Sequence, residues 1–189
     1  NNIIIRHLRV RLGRSDNTQV SGIPDITDNI WICNGRDIIL DHISTSWSAD
    51  ECLSASRDIQ NITVQYSYMF EPLNARGHGL GSIIGGGMTT DYSWHHNFYA
   101  HCLYRNPRPS SDSPDPGFDL DLRNCAFYNW GKEIGSNGGD DVLSVNYINN
   151  YFIAGPNSTE DCLMDGSGST DIYQSGNMRD LNENGIVDG

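Results

Sequence analysis

The chain carries a single lysine, Lys132, no CxxC pair, and no stretch of eighteen apolar residues. Each absence excludes something. Without a long apolar run there is no membrane-spanning helix, and nothing at the start reads as a charged-then-apolar leader. Without CxxC spacing, the five cysteines (33, 52, 102, 125 and 162) support neither a zinc ribbon nor a thioredoxin-like site. Their odd number leaves at least one thiol unpaired, and free cysteines packed as small apolar residues are the simplest expectation. Positive charge is scarce: 12 Lys and Arg stand against 24 Asp and Glu, a net charge of −12. That balance argues against nucleic acid or an anionic membrane as partner, because both require clustered positive charge. Helical signals are missing as well, with almost no apolar residues at helical spacing and no convincing capped helix start.

What is present is strand and turn. The 189 residues suffice for one domain with a sizeable core, and 20 glycines and 7 prolines punctuate them. Six windows resemble one another: Asn2–Val10, Asp37–Thr45, Asn61–Met69, Asp91–Tyr99, Asp119–Phe127 and Val145–Ile153. Each alternates or runs apolar, rich in β-branched and aromatic residues. Their starts lie 35, 24, 30, 28 and 26 residues apart. The sixth position of each is His7, His42, Tyr66, His96, Asn124 and Asn150, a recurring polar site inside apolar strands. An inward polar column shared by His96, Asn124 and Asn150 is expected from it.

Short strands at this period, joined by loops of variable length, predict an all-β fold, a right-handed parallel β-helix in which each coil buries its inward residues on the next. An antiparallel sandwich would want hairpin turns at tighter, more even spacing. The expected β-helical domain runs over 1–158, followed by a turn-rich segment over 159–189. The chain opens directly on a strand, so it reads as an internal piece of a longer protein lacking N-terminal coils.

On successive coils, residues far apart in sequence stack on one lateral face. Asp28, Asp50 and Glu51 are then expected to form a hard-oxygen cation site suited to calcium. Arg105 and Arg108 stand a coil or two away, which makes the face a receptor for an anionic ligand. Asp180, Asn182, Asn184 and Asp188, with Gly185, follow the first nine positions of an EF-hand-type loop and are a candidate second calcium site. The same tail also reads as a polar C-terminal turn.

The ordered set NNIIIRHLRVRLG (1–13), DIILDHISTSWSADECLS (37–54), DYSWHHNFYAH (91–101), RNPR (105–108), NCAFYNWG (124–131) and VNYINNYFIAGP (145–156) resembles the bacterial branch of the pectate lyase family. The resemblance implies calcium-assisted β-elimination of polyuronates such as polygalacturonate by a secreted or periplasmic, monomeric enzyme. It implies proton abstraction at Arg105, a substrate-carboxylate clamp at Arg108, and calcium ligands at Asp28 and Asp50. The sequence departs from the family at Ser54, where a further calcium aspartate often stands, with Glu51 as a compensating carboxylate. It departs again at His78-Gly79-Leu80, where a substrate-binding lysine is usual and His78 is the expected substitute.

His95 and Trp47 complete the expected substrate contacts; the other tryptophans, in strand windows, are expected in the core. Two other functions are open to such a scaffold. A non-catalytic carbohydrate-binding module would bind oligouronates without cleaving them. A glycoside hydrolase would need two carboxylates on one face, whereas Asp50 and Glu51 as strand neighbours would point oppositely.

Overall fold

The computed structural model describes residues 1–13, 27–74, 77–86, 91–110, 117–136, 142–159, 164–165, 169–180, 182, 184 and 186–187. The first coils are built from β1 (Ile3–Arg6), β2 (Arg9–Arg11), β3 (Trp31–Asp41), β4 (Ser44–Ser46), β5 (Ser54–Gln65) and β6 (Tyr68–Phe70). The middle coils hold β7 (Ile83–Ile84), β8 (Asp91–His95), β9 (Phe98–Ala100), β10 (Arg108–Pro109), β11 (Phe118–Arg123) and β12 (Ala126–Tyr128). The last hold β13 (Gly135–Ser136), β14 (Val142–Ile148), β15 (Tyr151–Ile153), β16 (Met164–Asp165), β17 (Ser169–Ser175) and β18 (Met178–Asp180).

Among the described residues all the ladders are parallel. One sheet runs β1-β3-β5-β8-β11-β14-β17, and a second runs β18-β15-β12-β9-β6-β4-β2. With right-handed connections, the rule for parallel crossovers, the chain is a right-handed parallel β-helix. A third side is made of very short strands: β7 with β10, β13 with β16, and the opening residues of β3 and β5. The ladder continues past residue 158, because β17 pairs with β14 and β18 with β15. The segment expected as a turn-rich tail therefore contributes one more rung.

The core is a set of stacked rows, one residue per coil. Ile38, Ile62, Tyr92, Leu120 and Val145 form one row, and Leu40, Val64, Trp94, Leu122 and Tyr147 the next; all are buried. In the second sheet Tyr99, Phe127 and Phe152 stack face to face, with ring centroids 5.5 and 5.1 Å apart. Each buried aromatic or aliphatic side chain contributes about 1.5–3 kcal/mol. Trp94 Nε1 donates to Tyr99 Oη at 2.9 Å, which donates to Ser82 Oγ at 2.8 Å, whereas Tyr147 Oη is buried without a partner among the described residues. Cys52, Cys102 and Cys125 are buried free thiols and Cys33 is half-buried; Cys162 lies outside the described residues.

Between the two large sheets the structure corrects the expected polar column. The recurring position bends the chain through the left-handed region, at φ near +50° in His7, His42, Tyr66, His96, Asn124 and Asn149. These side chains point outward, and their rings stack from coil to coil: His42 on Tyr66 at 5.4 Å and Tyr66 on His96 at 4.7 Å. The inward polar column sits one residue later. Asn97 Nδ2 donates to Val64 O, Asn150 Nδ2 to Leu122 O and Asn177 Nδ2 to Tyr147 O, at 2.8–3.0 Å. In the same ladder the N–H groups of Ser67, Cys125 and Asn150 donate to the next asparagine's Oδ1, at 2.9–3.0 Å. Asparagine supplies a donor and an acceptor together, which a buried corner without regular pairing needs.

Asp41 carries a test of this corner. Its buried carboxylate accepts from Gln65 Nε2 at 3.0 Å, from Arg6 Nε at 2.6 Å, and lies 2.7 Å from His42 Nδ1. The Gln65 hydrogen bond first, then the contacts with His42 and Arg6, hold its pKa down at about 2. A depressed carboxylate stabilises the fold above its unfolded pKa and loses that contribution as pH falls through the folded value. Asp41→Asn is therefore expected to lower the denaturation midpoint at neutral pH, and the deficit to shrink as pH drops from about 3.8 to about 2. A deficit that does not change over that range would remove the carboxylate from the account.

Candidate active site

Beyond β4 the chain leaves the second sheet and folds back on the segment that precedes β3. The N–H groups of Ala49 and Asp50 donate to Thr27 O at 3.2 Å, Asn29 N donates to Glu51 O at 3.1 Å, and Ser54 N to Ile30 O at 2.8 Å. Glu51 N also donates to Asp28 Oδ1 at 3.2 Å. This zipper of two turns brings Asp28, Asp50 and Glu51 together, with one ligand oxygen of each lying within 4.8 Å of the others. Residues 49–53 are not a strand, so Asp50 and Glu51 do not alternate between faces. The expected divergence of the two acids is corrected by that local turn.

Three carboxylates at this separation repel one another. Burial, then the Glu51 charge, pushes the Asp28 carboxyl up to about 8. Burial and Glu51 push Asp50 up to about 6, against the opposing contact with His78. His78 Nδ1 lies 3.0 Å from Asp50 Oδ1. On the other side Arg105 Nη1 is ion-paired with Glu51 Oε1. The sequence therefore places Asp28, Asp50, Glu51, His78 and Arg105, spread over 78 positions, in one connected group.

Arg105 is aimed by its backbone. It sits at φ +61°, before a cis Asn106–Pro107 bond, in the turn from β9 to β10. Ser82 N donates to its carbonyl at 2.7 Å. Gly81 permits that approach, since a Cβ there would lie 2.4 Å from Arg105 O. Arg108 follows on β10, paired with Ile83. The Nε atoms of Arg105 and Arg108 are buried without a partner among the described residues. Two contacts escaped the sequence reading: Tyr104 underlies the Arg105 guanidinium at 5.3 Å, and the Lys132 ammonium is 5.2 Å from the same ring. Being the lone lysine was the one available signal.

One expected contact, His95, lies elsewhere. His95 ends β8 on the outer face of the first sheet, with Nδ1 2.9 Å from His96 Nδ1 and its ring 5.9 Å from Tyr66. None of these partners belongs to the acidic group; the helical path separates that corner from the turn carrying Arg105. Trp47 is exposed at the start of the turn that carries Asp50, held by Glu71 O and Gly13 N at 3.0 Å. Trp94 and Trp130 are buried as expected, whereas Trp31 is 46% exposed. In the tail, Asp180 ends β18 and is buried. Asn182 and Asn184 each accept from the N–H two residues on, at 3.1 and 2.7 Å. Asp188 lies outside the described residues.

A concavity of about 630 Å³ opens on the outer face of the second sheet, lined by Tyr66, Tyr68, Phe70 and Phe98 among others, and takes in none of the acidic group.

The chain is 31% identical over 190 residues to "Probable pectate lyase C" of Aspergillus flavus, covering 98% of this chain and 41% of that protein. It is 32% identical to the protein of that name in Aspergillus fumigatus and 33% to the one in Neosartorya fischeri, each over 98% of this chain and 40% of the relative. The similarity is to fungal pectate lyases. No bacterial relative supports the bacterial branch to which the motifs pointed. The chain spans about two fifths of the length of these relatives. No family model matches it.

Proposed function

We propose that this chain is the site-bearing part of a polysaccharide lyase that cleaves pectate or a related polyuronate by calcium-assisted β-elimination outside the cell. The observation that carries the reading is the convergence of Asp28, Asp50 and Glu51 beside the Arg105 guanidinium. Similarity to proteins named pectate lyase supports it.

The donor set fits calcium. Three carboxylates offer hard oxygens, the ligand type calcium takes, and mutual repulsion leaves the group short of positive charge. Asp28, Asp50 and Glu51 would hold the ion, with His78 orienting Asp50 from behind. When bound, calcium neutralises a substrate carboxylate and so acidifies the C–H beside it. The protein supplies position and charge. Arg105 presents a guanidinium where negative charge grows as the C5 proton leaves, in the manner of an oxyanion hole. A guanidinium is a poor base, so its contacts support charge stabilisation more directly than the proton abstraction the family resemblance implies. Arg108, three residues on in the same coil, would fork a second carboxylate. This arrangement explains how a chain of charge −12 receives a polyanion: the sign is reversed locally.

The test is incubation with a panel of polyuronates, with calcium or with a chelator. Ultraviolet absorbance of an unsaturated uronate end, lost on chelation, is the expected result. New reducing ends without unsaturation would make the protein a hydrolase. Binding without either product would make it a carbohydrate-binding module, the reading that Ser54 in place of a fourth acid favours.

A further inference from the structure

Trp31 opens β3 and pairs with Ser54; one residue on, Ile32 pairs with Ala55, and Ala55 with Ile84. Ile83 in turn pairs with Arg108. Ala55 and Ile84 are wholly buried and Ile32 packs on the core. Because successive residues face opposite sides, Trp31, Ser54, Ile83 and Arg108 form the outward row across this third side, with Ser54 itself covered at 3% exposed. At about 4.8 Å per rung, Trp31 stands roughly 14 Å from Arg108. Ser54, which closes the turn carrying Asp50 and Glu51, lies between them.

This indole is not a core residue that failed to pack. Its Nε1 donates to Ser56 Oγ at 2.9 Å, which fixes the ring plane. The Arg57 guanidinium lies 4.4 Å from the ring centroid. Arg57 is exposed and sits at φ +71°, a left-handed conformation uncommon for a non-glycine residue. The Arg57 guanidinium covers one face of an indole that is still 46% exposed; the rest of the ring suits the C–H face of a pyranose, and the guanidinium suits the carboxylate of the same sugar.

The geometry points to Trp31 and Arg57 as a uronate-binding subsite that extends the groove to the rung of Asp28, one beyond Asp50 and Glu51, on the side away from Arg108. This rests on the polyuronate reading and adds to it a direction, with the saccharide lying along the helix axis, and a longer preferred substrate.

The test titrates calcium-loaded protein with galacturonate oligomers of increasing length. Trp31→Ala should weaken the longer oligomers about tenfold, and the shortest less, so that the ratio to wild type rises with length. Arg57→Ala should weaken them several-fold. In a Trp47→Phe background the binding-induced change in indole fluorescence should come from Trp31, Trp94 and Trp130 being buried, and should vanish in Trp31→Phe. Equal affinities for Trp31→Ala and wild type at every length, with Arg108→Ala still weakening binding, would overturn the subsite alone. Failure of wild-type protein to bind any oligomer would overturn the polyuronate reading and the subsite with it.

Discussion

Arg105→Ala is expected to lower the rate of unsaturated-uronate release from polygalacturonate by about 10²–10³-fold at saturating calcium, the usual cost of deleting a preorganised stabiliser of developing charge. The loss should fall on kcat and kcat/KM together, because the interaction grows only as the proton leaves. Arg105→Lys should recover part of the rate, since it keeps the charge and loses the planar fork. The substitution has a second effect that must be separated from the first. Arg105 neutralises Glu51, whose side chain is only 5% exposed, and its removal leaves an uncompensated acid beside two others. Calcium-free Arg105→Ala protein should therefore be less stable than wild type, and calcium should restore much of the difference. Turnover by Arg105→Ala within a few-fold of wild type would remove the guanidinium from the reaction.

The coil architecture was legible because its signal is redundant. Asp37, Asn61, Asp91 and Asp119 open windows whose apolar residues fall into register one under another, as Ile38, Ile62, Tyr92 and Leu120 do. The sixth window starts one residue late. Its Asn149-Asn150 doublet offers two polar candidates for one position, and only the left-handed φ of Asn149 decides between them. The same ambiguity hid the inward column: a left-handed residue reverses the alternation that strand periodicity assumes, so His96 points out and Asn97 in. The third side was invisible because strands of two residues, such as Ile83–Ile84 and Arg108–Pro109, have no period to read.

The site was legible as composition and less so as geometry. Carboxylates and arginines in turns on successive coils announce a charged face whatever the details. That Asp50 and Glu51 point the same way depends on Ala49, Asp50 and Glu51 all bonding to the 27–29 segment, a long-range pairing that local propensity does not encode. His95 is expected in the groove because strand alternation sets it opposite an inward His96, yet alternation does not say which corner of a coil a residue occupies. Trp31 was expected in the core because strand tryptophans usually are; it stays out because it opens its strand on the outward row.

Asp28→Asn separates cation binding from packing, since it should stabilise the calcium-free protein while abolishing its response to calcium. A carboxyl whose pKa is raised on folding destabilises the native state when ionised. With Asp28 pushed from 3.8 to about 8, that penalty builds as pH rises from about 4 and is complete above about 8. Asparagine keeps the shape and removes the charge, so the advantage of Asp28→Asn over wild type should grow across the same range. Calcium reverses the order. A ligand present at a hundred times its Kd stabilises by about 2.7 kcal/mol, which in a chain of this size raises the melting midpoint by about 5–10 °C. Wild type should show that rise and Asp28→Asn little of it. Magnesium, which demands a smaller octahedral site, should be the weaker stabiliser of wild type. If Asp28→Asn is less stable than wild type without calcium, or gains as much as wild type with it, the three acids are a structural cluster and the metal-dependent reading fails.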